Sequence, residues 1–162
     1  MSRPAYVITT CGAGKSQTAQ RADEFYTGSF VRLQGKTAYL LKPKRGRVIL
    51  SNKYGFLLPG DMIPGPYDSH WGYEDTMSDD SLRAMIGRLE LAPGDYVVNL
   101  GSKEYARQTR RLFPEDVRVI WPAKHLPRKS MAYYEQLHAH LRTLGRVPDL
   151  CLKHCEYMLD EV

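Results

Sequence analysis

Four short apolar runs, each bounded by glycine, proline or charge, set the rhythm of this chain. Residues 5–10, 47–51, 96–100 and 117–121 are rich in β-branched and aromatic side chains, the pattern of short buried strands. Between them the apolar spacing changes to helical. Residues 22–26 suit a short helix that stops at Thr27-Gly28-Ser29, and residues 30–41 suit a second, weakened by Gly35. Ser78-Asp79-Asp80 opens a helix with Leu82, Met85, Ile86 and Leu89 on one stripe. Ser78 is its cap, and the two acids face the positive end of its dipole. Residues 102–112 and 130–144 form two more, the latter with Tyr134, Leu137, Leu141 and Leu144 inward and Gly145 as its stop. A short helix is expected over 149–159. Strands alternating with helices predict an α/β fold of three layers, with a short, mainly parallel four-stranded sheet flanked by helices. The 162 residues read as a single domain, with a helical segment at about 129–160.

Charge divides the chain sharply. Residues 25–60 carry Arg32, Lys36, Lys42, Lys44, Arg45, Arg47 and Lys53 and no acid, whereas residues 61–80 carry six acids and no Lys or Arg. With a net charge of +5, this favours an anionic partner, nucleic acid or nucleotide. Lys42, Lys44, Arg45 and Arg47 form a basic turn suited either to solvent or to a phosphate backbone. Lys103, Arg107, Arg110 and Arg111 recur at helical spacing and suit the same two roles. No apolar run is long enough to span a membrane, and three cysteines without a secretory leader fit a reducing cytoplasm. No cofactor is expected. Cys151, His154 and Cys155 do not reproduce a familiar metal-ligand spacing, so no metal is expected either.

In a parallel sheet the segments that follow the strands gather at one edge, where ligands bind. Three such segments carry chemistry. Cys11-Gly-Ala-Gly-Lys15-Ser16 ends the first strand; it resembles the end of a phosphate-binding loop, but Thr9 stands where the first glycine is needed. It therefore reads as a glycine-rich strand-to-helix turn or as a small anion-binding turn using Lys15. The second segment, from Lys53 to Met77, is too long for a plain connector. Its rings (Tyr54, Phe56, Tyr67, Trp71, Tyr73) either fill a satellite core or offer faces for a base. The third is Gly101 to Tyr105.

Together these segments resemble a bacterial and phage domain known only as a domain of unknown function. Its pattern is C-x-x-x-K, then L/F-Y-x-x-x-F, S-x-K-Y-G-h-L, P-Y-D and a strand ending in G-x-x-Y. Here it is met by Cys11 and Lys15, Phe25-Tyr26 with Phe30, Ser51-Asn52-Lys53-Tyr54-Gly55-Phe56-Leu57, Pro66-Tyr67-Asp68, and Gly101 with Tyr105. The match covers about two thirds of the chain. Asn52 stands where a small residue is commoner, and the basic tract 42–47 is this chain's own. That domain is similar, more distantly, to the peroxide-stress YaaA-like proteins and to uracil-DNA-glycosylase-like domains of base-modifying enzymes. The resemblance implies a nucleobase or nucleic-acid role in a bacterial or phage-infected cell.

Two functions follow from the residues. One is an enzyme cleaving or transferring at an N-glycosidic bond, for which a carboxylate must meet the sugar and cations or N–H donors the departing base. Asp68 is the candidate carboxylate; Lys15 and Lys53 hold the phosphate or the base. Cys11, Tyr26, Ser51, Tyr54, Tyr67, Gly101 and Tyr105 line the substrate. The other is a module without chemistry that grips a nucleic-acid backbone or, as a small phage-type protein, a host protein.

Overall fold

A computed structural model describes residues 3–124, 131–144 and 154–161, without the side chains of residues 131, 133, 140, 141 and 144. The elements in chain order are β1 (Tyr6–Thr10), β2 (Gln20–Arg21), α1 (Ala22–Phe25), α2 (Ser29–Leu40), β3 (Gly46–Ser51) and β4 (Gly55–Leu57). They continue with β5 (Met62–Ile63), α3 (Asp79–Gly87), β6 (Tyr96–Asn99), α4 (Lys103–Leu112), β7 (Arg118–Ile120) and α5 (Met131–Leu144). The fold is α/β, with a mainly parallel sheet flanked by helices.

The four expected strands form its parallel part, in spatial order β3-β1-β6-β7. A fifth, β4, pairs antiparallel with β3 at the edge, so the main sheet has five strands rather than four. The extra strand arises because the chain after β3 turns back within three residues. Gly55, at φ +78°, supplies the left-handed step that a short hairpin of this kind requires. Any Cβ there would also collide with the sulfurs of Met77 and Met85. The long connection expected between Lys53 and Met77 is thus broken by β4 and by β5, which pairs with β2 in a second, two-stranded sheet.

From β1 the chain steps to β3 on one side and later to β6 on the other. Crossovers of one hand that run in opposite directions place their helices on opposite faces. Accordingly α2 packs with α5, and α3 with α4. The point where the direction reverses lies between β1 and β6, the usual ligand position of such sheets. Ser78 caps α3 by accepting from the Ser81 amide, with Asp79 and Asp80 in the first turn as expected.

The core is in two parts. The larger spans the sheet with Val7, Ile8, Val48, Leu50, Val97 and Val98 at its centre. The smaller, built from Ala22, Phe25, Tyr26, Val31, Ile49, Leu57 and Ile63, lies beneath Cys11, Tyr54 and Tyr67. Near the carboxyl terminus, the expected helix over 149–159 is corrected where it can be seen. Glu156 bridges antiparallel to Ile120, with Trp121 N donating to Cys155 O (2.7 Å) and Tyr157 N to Val119 O (2.8 Å). The exposed edge of β7 has unmet backbone groups, and an extended segment satisfies them where a helix would not. Residues 149–153, with Cys151, lie outside the described residues.

Candidate functional site

The carboxyl ends of β1, β3 and β6 converge, and backbone-directed side chains fix each of them. Thr10 N donates to the buried Gln34 Oε1 (2.8 Å), tying the end of β1 to α2, and Cys11 N donates to Leu50 O (3.1 Å). Asn99 accepts from Gly101 N (2.8 Å) and donates to Thr109 Oγ1 (2.9 Å), tying β6 to α4. A Cβ on Gly101 would lie 2.5 Å from the Thr10 methyl group, so only glycine lets β6 pass the end of β1 this closely. Gly101 was expected to line the substrate. Its N–H is instead taken by Asn99, and its carbonyl accepts from Trp121 Nε1 (2.9 Å) and Tyr134 Oη (3.3 Å). It braces the site.

The glycine-rich segment after β1 does not enter a helix, which removes both the strand-to-helix turn and any likeness to a phosphate-binding loop. Residues 14–16 run beside 25–27 instead, with Ser16 N donating to Phe25 O (2.8 Å), Thr27 N to Gly14 O (3.0 Å), and a bridge between Lys15 and Tyr26. Phe25 and Tyr26 thereby hold Lys15 in place.

Ser51 is the hinge of the arrangement. Its Oγ accepts from the amides of Lys53 (3.2 Å) and Tyr54 (3.0 Å), closing the hairpin turn, and lies 2.7 Å from Tyr67 Oη. The two amides use both lone pairs, so the Ser51 proton is left for Tyr67. Tyr67 Oη also bonds Tyr26 Oη. Tyr54 meets the Tyr67 ring edge to face at 5.1 Å, and Phe25 stacks parallel to it at 6.3 Å. Both lysines reach this ring. Lys15 Nζ stands 4.6 Å from its centroid and Lys53 Nζ 5.6 Å, with Lys53 also 5.5 Å from Tyr54. Among the described residues neither lysine has a carboxylate within ion-pair distance.

On the other flank, the Cys11 thiol donates to Asn52 Oδ1 (3.8 Å), and Sγ lies 3.0 Å from Tyr105 Oη. A thiol has one proton, so with that proton on Asn52 the phenol is the donor to sulfur. Trp71 meets the Tyr105 ring at 5.9 Å, and its buried indole N–H has no acceptor among the described residues. Burial is the first cause raising the Tyr26, Tyr67 and Tyr105 phenols well above their usual range; the negative charge of a Cys11 thiolate would add to it. All three are therefore neutral donors at neutral pH. Asn52, buried in the hairpin turn beside Cys11, was given no role from sequence; its signal was a polar side chain just after the buried run Val48–Ser51.

Asp68 is not brought into this cluster. Exposure alternates along residues 66–70, with Tyr67 and Ser69 turned inward and Asp68 and His70 outward. The Asp68 side chain is 93% exposed, with His70 Nε2 3.7 Å away.

The basic residues have separated. Arg110, nearly sealed from solvent, ties together the turn from α4 to β7, donating to Val117 O (2.6 Å), Phe113 O (3.1 Å) and Pro114 O (2.7 Å). A guanidinium so held is structural and is withdrawn from the expected phosphate face. Arg111 forks onto Asp79, and the bond holds the Asp79 carboxyl below its ordinary value. Lys44 and Arg45 both pair with Asp95 (3.8 and 3.1 Å). Asp95 is lowered chiefly by the Ala92 amide it accepts from, then by Arg45. Arg47 is half-buried and bonded to Thr9 Oγ1 (2.8 Å). Of the two basic groups, Lys42, Lys103 and Arg107 stand exposed with no acid within ion-pair distance among the described residues.

No family model matches this chain. It is similar to the uncharacterized protein YfjM of Bacillus subtilis, 34% identical over 77 residues, which cover 46% of this chain and 51% of that protein. The match spans about half the length of that curated relative. No helix among the described residues is long and apolar enough to cross a membrane.

Proposed function

We propose that this protein binds an anionic nucleobase or nucleotide over the Tyr67 ring and cleaves or transfers at its N-glycosidic bond. The observation that carries this reading is the pair Lys15 and Lys53, two ammonium groups over one aromatic ring with no acid partner among the described residues. Cations left uncompensated beside a half-buried ring suit a ligand that is both flat and negative. Hydrolysis breaks the bond between the sugar's anomeric carbon and the base nitrogen, whose electron pair leaves with the base. Water oxygen bonds to that carbon, and the water's proton balances the departing base. Lys15 and Lys53 offset the negative charge on base or phosphate, and the Tyr67 and Tyr105 phenols, neutral and already bonded to Ser51 and Cys11, add no negative charge beside it. Asp68, next to Tyr67 but turned outward, is the carboxylate offered for the sugar side.

The backbone-gripping alternative loses support because Lys44, Arg45, Arg110 and Arg111 bond within the protein. The test is release of free base from nucleosides and nucleotides, followed by chromatography. Turnover should be lost in Asp68→Asn while the ligand still raises the melting temperature. A response to oligonucleotides alone, erased by salt and indifferent to Lys53→Ala, would overturn the reading in favour of a binding module.

A further inference from the structure

At the other end of β3, four residues or about 13 Å from Ser51, lies a cleft of about 640 Å³ between α2, the start of β3 and the turn after β4. Its apolar walls include Ala38 and Pro59, and Tyr39 stands at its rim, 82% exposed. Arg47 is the charged group set into it. Its Nε is fixed on Thr9 Oγ1 (2.8 Å), and its Nη1 lies 2.9 Å from where a Cβ on residue 35 would be. Gly35, a weak helix former placed mid-helix, is thus what gives the guanidinium room. Arg47's terminal nitrogens have no acceptor among the described residues, while Arg3 and Lys42 add two further cations to the lining. The one lining carboxylate, Asp23, is engaged by Arg21 through two 3.2 Å bonds.

A guanidinium pinned by Nε presents its remaining edge as a fork for a planar oxyanion. We infer that this cleft is a second ligand site, which takes a small molecule bearing a carboxylate or phosphate on an apolar or aromatic body. The oxyanion sits on Arg47 and Lys42, and the body lies along Ala38 and Tyr39. The site is separate from the Lys15 and Lys53 cluster, so it serves either a second substrate or a regulator.

The test is titration with naphthyl phosphate, naphthoate and uncharged naphthol, read by backbone amide shifts. Saturable binding of either anion but not of naphthol, with shifts at Gly35, Tyr39 and Gly46, is expected. Preference between the two anions tells phosphate from carboxylate. Arg47→Met should weaken binding about tenfold and Tyr39→Ala about threefold, with Lys53→Ala unchanged. Should Arg47→Met not fold, Tyr39→Ala and Lys42→Gln, both at exposed positions, carry the same comparison. Absence of saturable binding, or shifts confined to residues 11–15 and 51–54, would overturn the inference.

Discussion

Lys15 and Lys53 stand over the Tyr67 ring at the carboxyl edge of the sheet, while Lys44, Arg45, Arg110 and Arg111 direct their charges at acceptors within the protein. By sequence the second group looks the more promising for an anionic partner, since its members are clustered or helically spaced. In the fold, Asp95 closes on Arg45 from 50 residues away, and Asp79 on Arg111 from 32. Density of positive charge along a chain therefore says little about free charge. What matters is whether an acceptor is folded onto it, and that is decided by topology.

The comparison can be broken most forcefully at Arg110. Arg110→Ala removes the donor that joins the Phe113, Pro114 and Val117 carbonyls between α4 and β7 and should cost about 3 kcal/mol. For a domain of this size, that lowers the melting temperature by about 6–12 °C. Ligand binding by the protein still folded should be unchanged. A stable variant that has lost binding would show that Arg110 serves the site after all.

Tyr67→Phe removes the hydroxyl that joins Ser51 to Tyr26 but keeps the ring beneath both lysines. It should cost roughly 1–2 kcal/mol in chemical denaturation and leave nucleotide affinity within about threefold. A larger loss of affinity would make the phenol, rather than the cations over its face, the principal contact.

A smaller effect is expected from alkali. Burial raises the Tyr26, Tyr67 and Tyr105 phenols above the ordinary tyrosine value of about 10. Above that value the unfolded chain releases phenolic protons that the folded chain retains, so stability falls as pH rises beyond about 10. Tyrosinate absorbance in the folded protein should lag behind that of the unfolded chain. Equal titration of the two would contradict the burial of these phenols.

Much of the architecture was legible because strand and helix periods differ and the elements are short and well punctuated. The parallel sheet of the four main strands followed from alternation, whereas their spatial order came from the structure. Gly55 was legible as part of a motif, yet its left-handed backbone, and with it β4, was not, because a glycine's sign of φ and the close packing of Met77 and Met85 against it are set by the fold. The gathering of Cys11, Ser51, Tyr67 and Tyr105 at one edge followed from topology. The direction of Asp68 depended on how exposure alternates along residues 66–70, and the apolar spacing of a loop does not report that. The Arg47 cleft lay outside sequence reasoning altogether, since Gly35 read only as a flaw in a helix.

The most direct measurement sets Lys53→Ala beside Lys44→Ala in calorimetric titrations with a nucleoside monophosphate. The account expects at least about tenfold weaker binding for Lys53→Ala and none of that loss for Lys44→Ala, whose charge already faces Asp95. Equal losses in the two variants, or loss in Lys44→Ala alone, would place the ligand on the basic turn and contradict the site at the carboxyl edge.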